Sequence, residues 1–92
     1  MIQTVRHRGL KRAYERGDFS RVEPEQAKRI VIALADLDSA RTVTDLNLPG
    51  YRLQRLRGKL KGLWSITISA NWRIVFRFED GDVYDINLID YH

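Results

Sequence analysis

The sequence contains no cysteine, and its two histidines, His7 and His92, lie near opposite ends of its 92 residues. The missing cysteine excludes disulfide frameworks, cysteine-based zinc sites and thiol nucleophiles. Two histidines so far apart do not predict a metal centre, and we expect neither a metal nor another cofactor. No apolar run approaches the ~18 residues of a membrane span, and the first residues do not resemble a signal peptide. These absences favour a cytoplasmic protein that does not bind membranes.

Acidic side chains are also missing, from one long stretch. Residues 51–78 hold seven basic residues and no acidic one, whereas residues 1–50 are nearly balanced, with nine basic and seven acidic residues. Although the net charge is only +4, this segregation predicts a face of unneutralised positive charge that binds a polyanion. A merely solvated cationic surface is the alternative.

Hydrophobic spacing in the first half predicts helices. A short strand over residues 2–5 precedes a helix over 7–16, which Gly17 ends. A second helix over 24–38 starts at Pro24, which suits a first helical turn, and continues with apolar residues at helical spacing. Another helical turn is expected at 44–47.

The second half alternates apolar and polar residues at the period of β-strands. Strands are predicted at 51–53, 63–69, 72–78 and 83–89, with a basic loop at 54–61. The dipeptide Asp80-Gly81 is typical of a short hairpin. Alternation places Arg73 opposite Trp72 and Ile74, and it places Tyr84 on one side with Ile86 and Leu88.

These elements predict one domain over residues 1–92 of the α+β class. Its order is β-α-α followed by a β-meander, with the two N-terminal helices packed on one face of a small antiparallel sheet. Trp64 and Trp72 share strand faces with isoleucines, so both are expected in the core. Arg73 should then point to the face away from the core.

The chain ends in Asp90-Tyr91-His92, a candidate site. Histidine titrates near neutral pH and can serve as a general base or acid, and Asp90 could orient it. A frayed end without chemistry is the alternative. Combined with a cationic face, this ending suits metal-independent cleavage of RNA, which carries its own nucleophile in the 2′-hydroxyl. DNA lacks that hydroxyl.

Several short runs together resemble a known family. They are Gly-Leu-Trp-Ser-Ile-Thr at 62–67, Ala-Asn-Trp-Arg-Ile at 70–74, Gly-Asp-Val-Tyr at 81–84 and the final Asp-Tyr-His. With the opening Met1-Ile2, His7 and Gly9-Leu10, the likeness to HigB-type toxins of the RelE/ParE superfamily spans the full length. It implies a RelE-like fold and an endoribonuclease, an mRNA interferase that cleaves messenger RNA in the A site of the 70S ribosome. It also implies that a HigA-type helix-turn-helix antitoxin neutralises the toxin. The toxin would contact operator DNA only through this antitoxin.

The resemblance also implies roles for individual residues. His92 would be the general base or acid, Asp90 its supporting carboxylate, Tyr91 an aromatic contact to substrate, and Arg73 the stabiliser of the charged phosphate. Arg57 would complete the catalytic set. Contacts to RNA or the ribosome are expected at eight further residues: Arg52, Gln54, Arg55, Lys59, Lys61 and Arg77 in the second half, with Arg8 and Arg12 on the first helix.

The basic loop departs from the family pattern at two positions. Relatives often read His-Pro-Leu-Lys-Gly, whereas this chain reads Gln54-Arg55-Leu56-Arg57-Gly58. Arg57 keeps the charge but does not release its proton at working pH, and Gln54 does not titrate. Two other functions therefore stay open. One is a non-catalytic inhibitor of DNA gyrase, like the ParE branch, and the other is an RNA- or ribosome-binding module without cleavage.

Overall fold

A computed structural model describes residues 1–90 of the chain. Two helices precede a four-stranded antiparallel sheet with strand order β1-β2-β3-β4, which confirms the predicted α+β class. The elements are α1 (Arg8–Arg16), α2 (Pro24–Ser39), a 3₁₀ turn (Val43–Leu46), β1 (Gln54–Arg55), a second 3₁₀ turn (Gly58–Leu60), β2 (Trp64–Ser69), β3 (Trp72–Glu79) and β4 (Asp82–Asp90). Within residues 1–90, no helix is long and apolar enough to cross a membrane.

The N-terminal segment lies along the edge of β4 that does not pair with β3. Ile2 and Val5 form isolated parallel bridges to Val83 and Ile86, and the Gln3 amide donates to the Val83 carbonyl at 2.7 Å. The strand predicted at 2–5 is thus an extended segment with two bridges. It gives the edge of β4 a partner, and it places α1 beside that strand.

Both helices pack on the same face of the sheet. Leu10 of α1 and Leu37 of α2 are fully buried in one cluster with Ile74 and Phe76 of β3. A β-carbon on the buried Gly9 would lie 2.9 Å from the Arg21 carbonyl oxygen, so only glycine lets the chain pass this close to α1. As predicted, Gly17 ends the helix, in the left-handed conformation with φ of 67°.

Side chains of α2 also attach to β2 by hydrogen bonds. Arg29 donates to the Ile68 carbonyl at 2.7 Å, and the buried Gln26 donates to the Ser69 hydroxyl at 3.2 Å. Trp64 is half-buried against the core as expected. Trp72 is half-buried as well, but it lines an open cleft with Gln26 and Arg29 instead of filling the core.

The predicted strand at 51–53 is wrong. Tyr51 lies in a turn, and Arg52 has a left-handed φ of 48°, which a regular strand does not accommodate. Tyr51 is instead anchored at two points, because its carbonyl accepts from the Thr67 amide at 2.7 Å and its hydroxyl donates to Asp36 at 2.6 Å. The ladder begins only at Gln54, so the first two residues of the predicted basic loop form β1.

The predicted placement of Tyr84 is also wrong. Val75 pairs with Asn87, whereas Arg77 pairs with Tyr84, so β4 has one more residue than β3 between these pairs. This bulge contains Asp85, which has a left-handed φ of 58°. The extra residue reverses the alternation, and Tyr84 therefore shares a face with Arg77 while Ile86 is fully buried in the core.

Candidate functional site

The sheet surface that faces away from the helices is called the open face here. Strand pairing defines it through two rows of neighbours, Gln54–Ser65–Val75–Asn87 across all four strands and Thr67–Arg73–Ile89 across three. Arg77 and Tyr84 form a further pair on the same face. Arg73 lies there as alternation predicted, opposite the fully buried Ile74.

Arg73 is the cation at the centre of the open face. It is half-buried, and its Nη1 donates to the Gln54 Oε1 at 3.1 Å and to the Ser65 Oγ at 3.4 Å. Ser65 is fully buried, whereas Gln54 is exposed. Guanidinium groups bind phosphate oxygens through paired N–H donors. The arrangement therefore suits charge stabilisation at a phosphate.

Three cations of the basic loop lie exposed beside the edge strand β1. They are Arg57, Lys59 and Lys61, which flank or lie within the turn Gly58–Leu60. The loop is anchored by Leu56, which is buried and whose amide donates to the Leu63 carbonyl at 2.9 Å. Such an arrangement presents positive charge on a fixed support.

Two further arginines of the same segment lie away from Arg73, although Arg55 lines a cleft with Arg57 and Lys61. Arg55 pairs with Trp64, its guanidinium carbon lies 5.6 Å from the indole centroid, and alternation along β1 puts it on the face opposite Gln54. Arg52 is exposed in the turn before β1. The structure therefore does not bring these two cations to Arg73.

The prediction of unneutralised charge is wrong at Arg77. Its Nη1 is paired with the Glu79 carboxylate and its Nε lies 3.5 Å from the Asp85 Oδ2. Its guanidinium carbon is also 4.3 Å from the centroid of the Tyr84 ring. Glu79 and Asp85 both follow residues 51–78 in the sequence. The β3–β4 hairpin and the bulge at Asp85 bring them beside Arg77.

Arg8 and Arg12 lie on α1, on the helix side of the sheet. Arg12 is ion-paired with Asp18 at 3.2 Å, and hydrogen bonds from Ser20 and Arg12 lower the pKa of that carboxyl to about 2. Arg8 is exposed. These two cations belong to a surface separate from Arg73.

Of the predicted group Asp90-Tyr91-His92, only Asp90 is described, at the end of β4. Asp90 is the last described residue and pairs with Trp72, so alternation places its side chain on the side opposite Arg73. Tyr91 and His92 lie outside the described residues, and the roles assigned to this tripeptide stay predictions. Among residues 1–90, no cluster of histidine and carboxylate side chains could hold a metal ion.

Sequence reasoning overlooked Ser65, Thr67 and Tyr84 as members of the open face. The first two alternate with Ile66 and Ile68, so their position could have been read from the pattern of β2. Tyr84 could not, because its side depends on the bulge at Asp85.

The whole chain is similar to known toxins. The family model of the RelE-like toxin HigB of type II toxin–antitoxin systems matches residues 3–92. The chain is 44% identical to the endoribonuclease HigB of Proteus vulgaris over 92 residues, which is the full length of both. It is 32% identical to toxin HigB-1 of Vibrio cholerae serotype O1 over 83 residues, covering 88% of this chain and 87% of that protein.

Solved structures with the same fold are toxins as well. The toxin–antitoxin complex YoeB–YefM of Staphylococcus aureus, a heterotetramer, contains a chain that matches with a TM-score of 0.64 at 20% identity, covering 100% of this chain and 95% of that one. A second structure of the YoeB–YefM complex matches with a TM-score of 0.60 at 18% identity and the same coverage. These likenesses establish the fold, and the matches along the sequence establish the family. The chain belongs to the RelE-like HigB toxins of type II toxin–antitoxin systems.

Proposed function

We propose that this toxin is an endoribonuclease that cleaves messenger RNA in the A site of the ribosome and so stops translation. The observation that carries the proposal is Arg73, held by Gln54 and Ser65 on the open face. The name of the Proteus vulgaris relative, at 44% identity over the full length, favours cleavage over gyrase inhibition or RNA binding alone.

The chemistry requires no metal. A base removes the proton of the 2′-hydroxyl, the oxygen attacks the adjacent phosphorus, and an acid returns a proton to the departing 5′-oxygen. His92 serves in the acid–base role, supported by Asp90, while Tyr91 contacts the substrate. Arg73 stabilises the charge that develops on the phosphate oxygens, and Arg57 holds a neighbouring phosphate.

The site residues divide into those suited to RNA and those that are not. Arg57, Lys59 and Lys61 are exposed beside β1 and are suited to the phosphate backbone. Arg77 is engaged by two carboxylates and is therefore less suited to that role. Arg8, exposed on the helix side, is suited only to a second contact with the ribosome, and Arg12 on that side is paired with Asp18.

A toxin of a type II system has an antitoxin partner. For this chain we propose a HigA-type helix-turn-helix protein, which connects the toxin to operator DNA. The chain acts in the cytoplasm, where ribosomes are, and functions as one domain over residues 1–92.

The test is translation of a defined message in vitro with the purified toxin, followed by mapping of new 5′ ends. We expect cuts within codons, made only when ribosomes are present. His92→Gln should lower the cleavage rate roughly 10²–10⁴-fold, and Arg73→Ala should lower it by about 10²–10³-fold.

Lys28→Met, at an exposed lysine of α2, is the matched control and should cleave like the parent. Full activity of both His92→Gln and Arg73→Ala would refute the mechanism. Cuts that ignore codon boundaries and need no ribosome would refute its site of action.

A further inference from the structure

We propose that Gln54 and Ser65 are positioning residues, which hold the Arg73 guanidinium in the orientation that cleavage needs. Gln54 then acts on the reaction through Arg73, not as a contact to RNA. This inference rests on the proposed ribonuclease function, because it assigns a task within the same site.

Of the two groups that accept hydrogen bonds from Arg73, one is buried and the other is exposed to solvent. Ser65 is fully buried and accepts from Arg73 Nη1 at 3.4 Å, while the exposed Gln54 accepts from the same nitrogen at 3.1 Å. Gln54 is paired with Ser65 across β1 and β2. The two acceptors are therefore held together by the backbone ladder, and a guanidinium bonded to both loses much of its rotameric freedom.

The chemical nature of the acceptors fits a positioning task. An amide oxygen and a hydroxyl are neutral, so accepting from Arg73 does not take away charge that a phosphate requires. Arg77, four residues along the same strand and on the same face, is held instead by two carboxylates. Gln54 and Ser65 thus orient Arg73 through neutral acceptors, whereas both acceptors of Arg77 are charged.

An amide also behaves in the same way at every working pH. An imidazole accepts a hydrogen bond only when neutral, so a histidine at this position would release and repel Arg73 on protonation. We therefore expect the cleavage rate of Gln54→His, relative to the parent at the same pH, to be lower below about pH 6.5 than above about pH 7.5.

Gln54→Met keeps the length of the side chain and removes the acceptor. Under single-turnover conditions, with the RNA on ribosomes, we expect the cleavage rate at saturation to fall about tenfold, equivalent to about 1.4 kcal/mol, with the affinity for the ribosome-bound RNA unchanged. In an Arg73→Ala background, the same substitution should cost less than about twofold, because its effect passes through Arg73. Ser65→Ala should follow the same pattern.

The proposal is overturned if Gln54→Met lowers the cleavage rate by the same factor in the parent and in Arg73→Ala. If the substitution also weakens RNA binding, Gln54 is a direct contact to RNA. Gln3→Met, at an exposed glutamine of the N-terminal segment, is the matched control. It should leave both the rate and the affinity unchanged.

A second measurement separates this inference from the ribonuclease function. In ¹⁵N NMR spectra of the free toxin, Gln54→Met should shift the side-chain Nε–Hε signal of Arg73 and speed its exchange with water, while Gln3→Met should not. An unchanged Arg73 signal would refute the positioning role even if RNA is cleaved. A changed signal in a toxin that cleaves no RNA would leave the positioning intact and refute the proposed reaction.

Discussion

At the scale of single residues, exposure and pairing divide the basic residues into two groups. Arg57 is exposed, whereas Arg77 has two carboxylate partners and an aromatic ring beside it. An arginine that is already paired with carboxylates displaces few counterions from the RNA on binding, because its charge is neutralised within the protein.

This difference predicts the salt dependence of RNA binding. Arg57→Met should reduce the slope of log affinity against log salt by about 0.7, the value for one lost phosphate contact on a single strand. Arg77→Met should leave that slope nearly unchanged and lower the free energy of unfolding by no more than about 1 kcal/mol, since the pairs are at the surface. Binding isotherms at several salt concentrations measure the slopes, and equal reductions in the two variants would contradict the prediction.

His7 is a residue whose task only the structure reveals. Its Nδ1 accepts from the Leu10 amide at 3.2 Å and caps the start of α1. Burial lowers the pKa of His7 below its ordinary value of 6.5. Because a protonated imidazole has no acceptor, the cap requires the neutral form.

The cap predicts how stability depends on pH. His7→Ala should lower the free energy of unfolding by about 1 kcal/mol at pH 7.5. With the folded pKa below the unfolded one, this contribution is complete above pH 6.5 and is lost as the pH falls through the folded pKa. Urea unfolding at pH 7.5 and 5 should show the parent and His7→Ala converging at the lower pH. His7→Asn, which keeps an acceptor, is the control, and a constant difference between parent and His7→Ala would refute the role.

At the scale of elements, the connection between β2 and β3 carries a strained residue. Ala70 has a left-handed φ of 45°, a conformation that costs an L-residue roughly 1–2 kcal/mol and glycine little. Glycine loses about 0.5–1 kcal/mol more conformational entropy on folding, so the net gain from Ala70→Gly is positive but small.

We therefore expect Ala70→Gly to raise the free energy of unfolding by up to about 1 kcal/mol and the melting temperature by a few degrees. Gly81→Ala, in the next hairpin with φ of 81°, is the opposite change and should lower both. Calorimetry of the two variants checks the pair. A lower melting temperature for Ala70→Gly would show that the turn is not strained.

At the scale of the whole molecule, the toxin must be neutralised in the cell that makes it. The exposed cations beside β1 suit an acidic or helical antitoxin segment. We expect expression of the toxin alone to stop growth, and co-expression with the proposed helix-turn-helix antitoxin to relieve that inhibition and give a stable complex. His92→Gln separates binding from activity, since it should be harmless alone yet still co-purify. Failure of the two proteins to co-purify, or relief by an antisense transcript alone, would count against this partner.

The features that the sequence determined by itself are local or compositional. Gly17 ends α1 and Pro24 begins α2 because each residue has its own backbone preference. Asp80-Gly81 joins two strands for the same reason. Alternation along β3 was sufficient to place Arg73 opposite Ile74, since that strand contains no bulge of its own. The final Asp-Tyr-His and the three other matching runs, with the opening residues, were sufficient to indicate the family.

The tertiary structure decided which distant residues meet. Gln54 reaches Arg73, 19 positions away, only because β1 begins at Gln54 and pairs with β2 in the register that sets Gln54 opposite Ser65. Arg77 meets Asp85, and Tyr84 joins the open face, only because β4 contains one extra residue. A shift of one residue moves a side chain to the other face of a sheet. Register depends on contacts far apart in the chain, so neither charge counts nor alternation within one strand could have predicted these meetings.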